Sequence, residues 1–350
     1  MTTAMINMFE SRSLTNAINR TKVIEPFVLN TFFKNTQFHA ADKIDIEIIT
    51  GSDKLAQFVN QHEGALPIKK LSKMVKTLSL PRTFEKKLFT ALELANYKSV
   101  GNIYVTSPEE RTNLANQMIL QELEELKNRI IRRREQMACE ALSTGQINVN
   151  QNNIEFWVNF EFEQNVHLVT LASNAKWSEA TAKPLVNLKN WKRDIMKRCG
   201  INADIMILGS EAADSFIAND SIKKELDTNN NRIGVLDLTQ SATRSGMFIG
   251  RIMGVDIYEY NQQYTKADDI TPIDMINPKR AILVASQSPG FRVHFGPIYR
   301  IENGNLKIYQ NELLVETNTN EDKTALDWKV EQKSLPTIHE PNAIISATVV

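Results

Sequence analysis

The sequence predicts an α+β protein, and three observations carry that expectation. A strictly alternating segment near residue 45 marks a half-buried strand, a capping box at Ser107 opens a long helical pattern, and beyond residue 177 short apolar runs alternate with amphipathic segments. Strands and helix therefore occupy separate stretches in the first half of the chain and interleave in the second.

Behind a polar leader stands an aromatic cluster, Phe27, Phe32, Phe33 and Phe38, so residues 1–40 read as a docked N-terminal arm with a frayed tip. From Lys43 to Ile48 the alternation places Ile44, Ile46 and Ile48 on one face and Lys43, Asp45 and Glu47 on the other. Leu66 to Leu71 and Met74 to Leu80 are further strand candidates, the second ended by Pro81, and residues 41–98 read as an extended β loop. A two- or three-stranded ribbon is marginal in water, so its isoleucine face needs a neighbour, either elsewhere in the chain or on another subunit.

Ser107-Pro108-Glu109-Glu110 places Ser at the N-cap, Pro at the first helical position and Glu at the third, with acidic residues at the positive end of the helix dipole. Ile119, Leu123, Leu126, Ile130, Met137 and Ala141 keep three-four spacing until Ser143-Thr144-Gly145 stops the pattern. At about 1.5 Å per residue the helix over 107–143 is on the order of 55 Å long, the length of a spine against which other elements pack. Ile154, Phe156, Val158, Phe160 and Phe162 then alternate in a strand, with Val166 to Leu171 as its expected hairpin partner.

Past Trp177 the character changes to an α/β unit. Pro184 opens a helix that Gly200 closes, Asp204 to Leu208 is a buried strand, and Ser210 opens a short helix to Ala218. Ile222 to Leu226 adds a helical turn, while Gly254 to Tyr260 and Arg280 to Ala285 supply strands, so residues 177–315 form one domain. The tail, with Trp328-Lys329-Val330, Thr337-Ile338-His339 and Ala343 to Val350 separated by Pro336 and Pro341, is expected to dock on the helix-and-hairpin region. That region is then discontinuous, built from 99–176 plus 316–350.

Lys plus Arg (41) balances Asp plus Glu (41) over 350 residues, which disfavours a histone-like DNA-packaging protein, since phosphate neutralisation needs a cationic excess. Cys139 and Cys199 stand far apart without a CxxC or Cys/His cluster, as buried free thiols of a reducing compartment do. The first residues carry charge where a signal peptide needs an apolar core, and the longest aliphatic run, Ala281 to Ala285, is too short to span a bilayer. Synthesis and use in the cytoplasm are the expectation.

The search for chemistry is negative. His39, His62, His167, His294 and His339 are scattered, without HExxH or a zinc ligand set, and surface or hydrogen-bonded core roles are favoured. GxGxxG, Walker A and GxSxG are absent, and Gly250 to Gly254 has the spacing of a loop feeding a strand. Asp268, Asp269 and Asp274 read as a solvated loop, and the charge of Arg132, Arg133 and Arg134 is offset by Glu122, Glu124, Glu125, Glu135 and Glu140 on the same helix. No catalytic residue, metal or cofactor is therefore expected.

The order of elements, with Pro26-Phe27-Val28-Leu29 and Phe32-Phe33 in the arm, Met137-Ala138 and Ala141-Leu142 before Gly145, Lys176-Trp177-Ser178 at the junction, Asp204 to Leu208, Ile222 to Asp227 and the strand from Ala343, resembles the tailed-bacteriophage major capsid protein fold, in its lambda-type major capsid protein E family. The resemblance runs over nearly the whole chain. It implies an extended β loop lying over a neighbouring subunit, a peripheral domain with spine helix 107–143, and an axial α/β domain at 177–315 around capsomer centres.

On that resemblance Ile44, Ile46 and Ile48 become intersubunit contacts, and Asn229, Asn230 and Arg232 lie in a polar loop at the capsomer axis. The implied function is self-assembly as pentamers and hexamers into the icosahedral head of a virion. The implied partners are further copies of the chain, a scaffold, a portal, a decoration protein and packaged DNA bound without sequence specificity, with no membrane. The competing readings are an enzyme with a pocket in the 177–315 domain and a cellular nanocompartment shell protein of the same fold.

Overall fold

The computed structural model of the chain describes residues 26–49, 73–96, 108–151, 154–179, 181–223, 246–266, 271–302, 304–320, 322 and 324–350. The arm folds as α1 (Phe27–Thr31) and β1 (Asn35–Phe38), followed by β2 (Lys43–Ile49), β3 (Lys73–Ser79), β4 (Arg82–Thr90) and α2 (Ala91–Asn96). Its aromatic rings explain the docking. Phe27 stacks on Tyr260 with centroids 5.7 Å apart, and Phe32 and Phe33 both pack on Phe291.

The spine α3 spans Pro108–Thr144, so the expected helix is present, while its capping residue Ser107 lies outside the described residues. Ile119, Leu123, Leu126 and Ile130 form one buried stripe against Phe89, Leu313, Val315, Trp328 and Val330. Further along, Met137, Ala138, Ala141 and Leu142 enter a second, larger core that contains the arm. One helix is thus shared by two apolar clusters.

Gly145 ends the spine at φ +69°, where a Cβ would fall 2.2 Å from the Phe162 ring, so both conformation and space require glycine. The Ser143 carbonyl near the helix end accepts from Ser346 Oγ at 2.7 Å and from the Arg280 guanidinium, which satisfies a group the helix leaves unpaired.

Two strands follow, β5 (Gln146–Gln151) and β6 (Ile154–Asn159), paired from Gln146 opposite Asn159 to Gln151 opposite Ile154. This corrects the expected hairpin. The strand at Ile154 is real, but its partner precedes it, and β7 (Leu168–Thr170) instead runs parallel to the C-terminal strand. Glu161 and Asn165, both at positive φ, turn the chain away after Phe160, and alternation alone carries no record of such a turn.

The α/β unit follows with α4 (Pro184–Cys199), β8 (Ile205–Leu208), α5 (Ser210–Ala218), β9 (Met247–Ile252), β10 (Val255–Glu259), β11 (Gln263–Tyr264), β12 (Ile273–Asp274) and β13 (Arg280–Val284). Its sheet has the order β7, β19 (Ile344–Thr348), β13, β8, β10, β9. The central strands read as continuous apolar runs because both sides are covered. Trp177 holds α4 and α5 together, packing on Trp191 and Phe216. The loop expected at Gly250 to Gly254 is in fact β9 and its turn into β10.

A second sheet contains β1, β14 (Phe291–Phe295), β18 (Ala325–Ile338) and β17 (Leu314–Thr319), with β4 also on β18. Pro336 does not break β18. Fixed by the bonds from His339 N to Gly290 O (2.8 Å) and from Gly296 N to Lys333 O (3.0 Å), the ladder to β14 uses odd-numbered residues of β18, so the nitrogen of Pro336 points away from β14. Trp328 and Val330 dock on the spine as expected. The strand from Ala343 does not: β19 pairs with β13 in the α/β sheet, which corrects its assignment to the helix-and-hairpin region. Of Ile222 to Leu226 only the first two residues are described, and the strand candidate at Leu66 to Leu71 and the residues Asp268 and Asp269 lie outside the described residues.

Candidate assembly surfaces

Of the residues assigned to intersubunit contact, Ile44, Ile46 and Ile48 are only 4%, 1% and 3% exposed in the isolated chain. Their face is covered by the subunit's own core, where Ile44 and Ile46 share a cluster with Leu80 and the arm phenylalanines. The assignment is corrected accordingly: the ribbon is held at its base by Lys76, which pairs with Glu161 and donates to the Asn159 carbonyl at 3.0 Å. The sequence pattern demanded a neighbour for that face, and the chain supplies it. Asn229, Asn230 and Arg232 lie outside the described residues.

The surface that does remain apolar is elsewhere. Strands β15 (Ile298–Glu302) and β16 (Asn305–Tyr309) form a two-stranded hairpin with Tyr299 opposite Ile308 and Ile301 opposite Leu306. Alternation puts all four on one face, and Ile301 and Leu306 are 80% and 66% exposed. Exposed Phe84 and Leu88 occupy one face of β4, and Trp157 stands exposed on β6. Single exposed apolar residues are ordinary, but four matched on one ribbon face form a patch that water solvates poorly.

The base of the hairpin is held by charge. Arg82 grips Glu331 through Nε at 2.6 Å and Nη2 at 2.8 Å, while Arg300 of β15 contacts the same carboxylate and binds Glu316 at 2.6 and 2.7 Å. Burial alone would raise the Glu331 carboxyl, but the hydrogen bonds and charges of Arg82 and Arg300 outweigh it and hold it below the usual carboxylate range. Four strands, β4, β15, β17 and β18, meet in this network. Nearby, Arg134 leaves the expected solvated arginine run, pairing with Glu312 at 2.6 Å and lying over the Phe295 ring.

Two further buried clusters escaped sequence reasoning. Glu135 of the spine accepts the backbone N–H groups of Val28 and Leu29 and the Tyr260 hydroxyl. His39, His294 and His339 line up in contact with one another, while His167 is satisfied separately by Glu163 N and Asn342 Oδ1. Among the described residues no group of three or more His, Cys, Asp or Glu side chains is arranged to hold a metal ion, and no helix is long and apolar enough to cross a membrane. A cleft of about 140 Å³ beside Glu135, lined by Pro26, Asn128, Arg132 and Met275, is small against the several hundred Å³ of an ordinary ligand pocket.

The sequence profile of phage major capsid protein E matches residues 10–349. Among solved structures, a prophage protein of Escherichia coli CFT073 described as a capsid protein superposes with a TM-score of 0.72 at 15% identity, covering 97% of this chain and 99% of the other. A phage-related protein of Bordetella bronchiseptica RB50 gives a TM-score of 0.53 at 10% identity, with 95% of each chain covered. None of the curated proteins compared matches the chain.

Proposed function

The chain belongs to the family of phage major capsid protein E, and we propose from that membership that it builds the closed icosahedral head of a virion as pentamers and hexamers around packaged DNA. The observation that carries the reading is the four-residue apolar face of the β15–β16 hairpin, with Ile301 80% exposed on a ribbon that packs its opposite side, through Ile298, on the body. A freely soluble monomer gains nothing by displaying such a face, whereas a shell subunit buries it against further copies.

In this reading the spine and the β4–β17–β18 sheet form the peripheral domain, and the six-stranded sheet, including β7 and β19, forms the axial domain. The polar loop between Asp220 and Thr243, with Asn229, Asn230 and Arg232, is assigned to the capsomer centre on the family resemblance. The role is structural, without catalysis. Scaffold, portal and decoration partners and assembly in the host cytoplasm are family expectations of the same reading. Electron microscopy of the purified chain, alone and with Ile301→Asp, tests it: closed shells or capsomers from the parent and dispersed subunits from the variant are expected.

A further inference from the structure

His39, just after β1, His294 on β14 and His339 after β18 form one chain of rings, with His39 Nε2 2.7 Å from His294 Nδ1, His294 Nε2 3.3 Å from His339 Nε2, and His339 Nδ1 3.0 Å from the Glu47 carbonyl. The carbonyl at the end fixes the direction. Because it can only accept, His339 carries its proton on Nδ1 and accepts on Nε2, His294 donates from Nε2 and accepts on Nδ1, and His39 donates from Nε2. Thr337 Oγ, 3.1 Å from His339 Nε2, has the Arg292 carbonyl as its acceptor at 3.4 Å.

Every nitrogen in this chain except His39 Nδ1 is committed. A proton can therefore enter there, at the half-buried outer end, without disturbing a bond. A second proton, on His294 or His339, would set one N–H against another. Of the charged groups around the rings, Arg292 repels a proton on either inner ring, the Glu47 charge favours one on His339, and Glu340 is engaged by Ser288 Oγ at 2.6 Å.

We propose that this ring relay is a proton-sensitive joint that holds β1 to the body near neutral pH and releases it in mild acid. β1 is lightly held otherwise. Among the described residues it is a four-residue edge strand paired with β14 alone, and its last residue Phe38, stacked on Phe295, is half exposed. With β1 released, His39 and the Nδ1 of His294 each take up a proton near pH 6.5, while the packed relay takes one without breaking, so release binds one proton more and falling pH draws the equilibrium toward it.

Burial, then the neighbouring His339, His39 and Arg292, pull His294 down to about 3, and burial lowers His39 and His339 as well. With His294 neutral in the packed state and titrating at about 6.5 when released, linkage at pH 5 favours release by roughly 30-fold over neutral pH.

Hydrogen exchange of the intact chain, corrected for intrinsic rates, reads this directly. Protection of residues 35–39 is expected to fall by roughly 30-fold between pH 7.5 and 5 while the six-stranded sheet and residues 43–49 keep their own. His294→Gln, which donates once and accepts once but does not titrate, should remove most of that response. Equal protection at both pH values, or a His294→Gln response matching the parent, would overturn the proposal. Should the variant fail to fold, histidine NMR of the parent decides: His39 titrating first with His294 neutral at pH 5 supports the joint, and His294 titrating near 6.5 overturns it.

Discussion

The carboxylate of Glu135 accepts the backbone N–H of Val28 at 2.7 Å, joining the spine to the arm across 107 positions of sequence. It also takes Leu29 N at 3.0 Å and the Tyr260 hydroxyl at 2.9 Å, so one side chain caps α1 and holds the end of β10. Burial pushes this carboxyl up, against the opposing pull of those three donors and Arg134. Glu135→Ala strands two backbone amides in the core, leaves the Tyr260 hydroxyl only Gln262 Oε1 as acceptor at 3.1 Å, and should cost about 3 kcal/mol in denaturant unfolding. Glu135→Gln keeps an acceptor and should cost less. A change within about 0.5 kcal/mol for the alanine variant would show that the joint is dispensable.

Ile46 and Ile301 should respond oppositely to the same substitution. Ile46→Asp buries a charge among core side chains and should unfold the subunit, by more than about 3 kcal/mol, before assembly is reached. Ile301→Asp changes an exposed position and should leave the melting temperature within a few degrees while blocking association. Melting curves and particle yields separate the two, and a stably folded Ile46→Asp subunit would contradict the buried placement.

The Glu331 network makes stability depend on acid. Its folded carboxyl lies below the ordinary value, so its contribution is fully present above about pH 4.5 and is lost as pH falls through the lowered value. Glu331→Gln should therefore cost stability at pH 7 and flatten the acid limb of the unfolding profile. An unchanged profile would place the pH dependence elsewhere.

Arg232→Glu bears on the axial assignment of the loop from Asp220 to Thr243. A polar, turn-rich stretch adapts cheaply to two ring sizes, so reversing its charge should disturb pentamers and hexamers unequally. Aberrant or open particles from a normally folded subunit are expected, and wild-type particles would move the loop away from the axis.

The local periods of this fold were legible. Pro184, Gly200 and Ser210 mark helix ends to the residue, and the three-four stripe from Ile119 marks the spine, because caps and amphipathic faces are written in adjacent residues. Pairing was not. β7 reaches the α/β sheet through a pairing with β19 across nearly two hundred positions, β19 through β13 across about sixty, and the isoleucine face of β2 looked unpartnered because its cover comes from the arm and from Leu80. The charged joints were invisible for the same reason: Glu135, His294 and Glu331 carry no motif, and only the fold brings their donors to them.

The most direct test of the shell reading is cryo-electron microscopy of the purified chain at assembly concentration. Closed icosahedral particles, with the β15–β16 hairpin buried between copies, are the predicted result. A discrete low-mass oligomer that leaves Ile301 and Leu306 in solvent would contradict it.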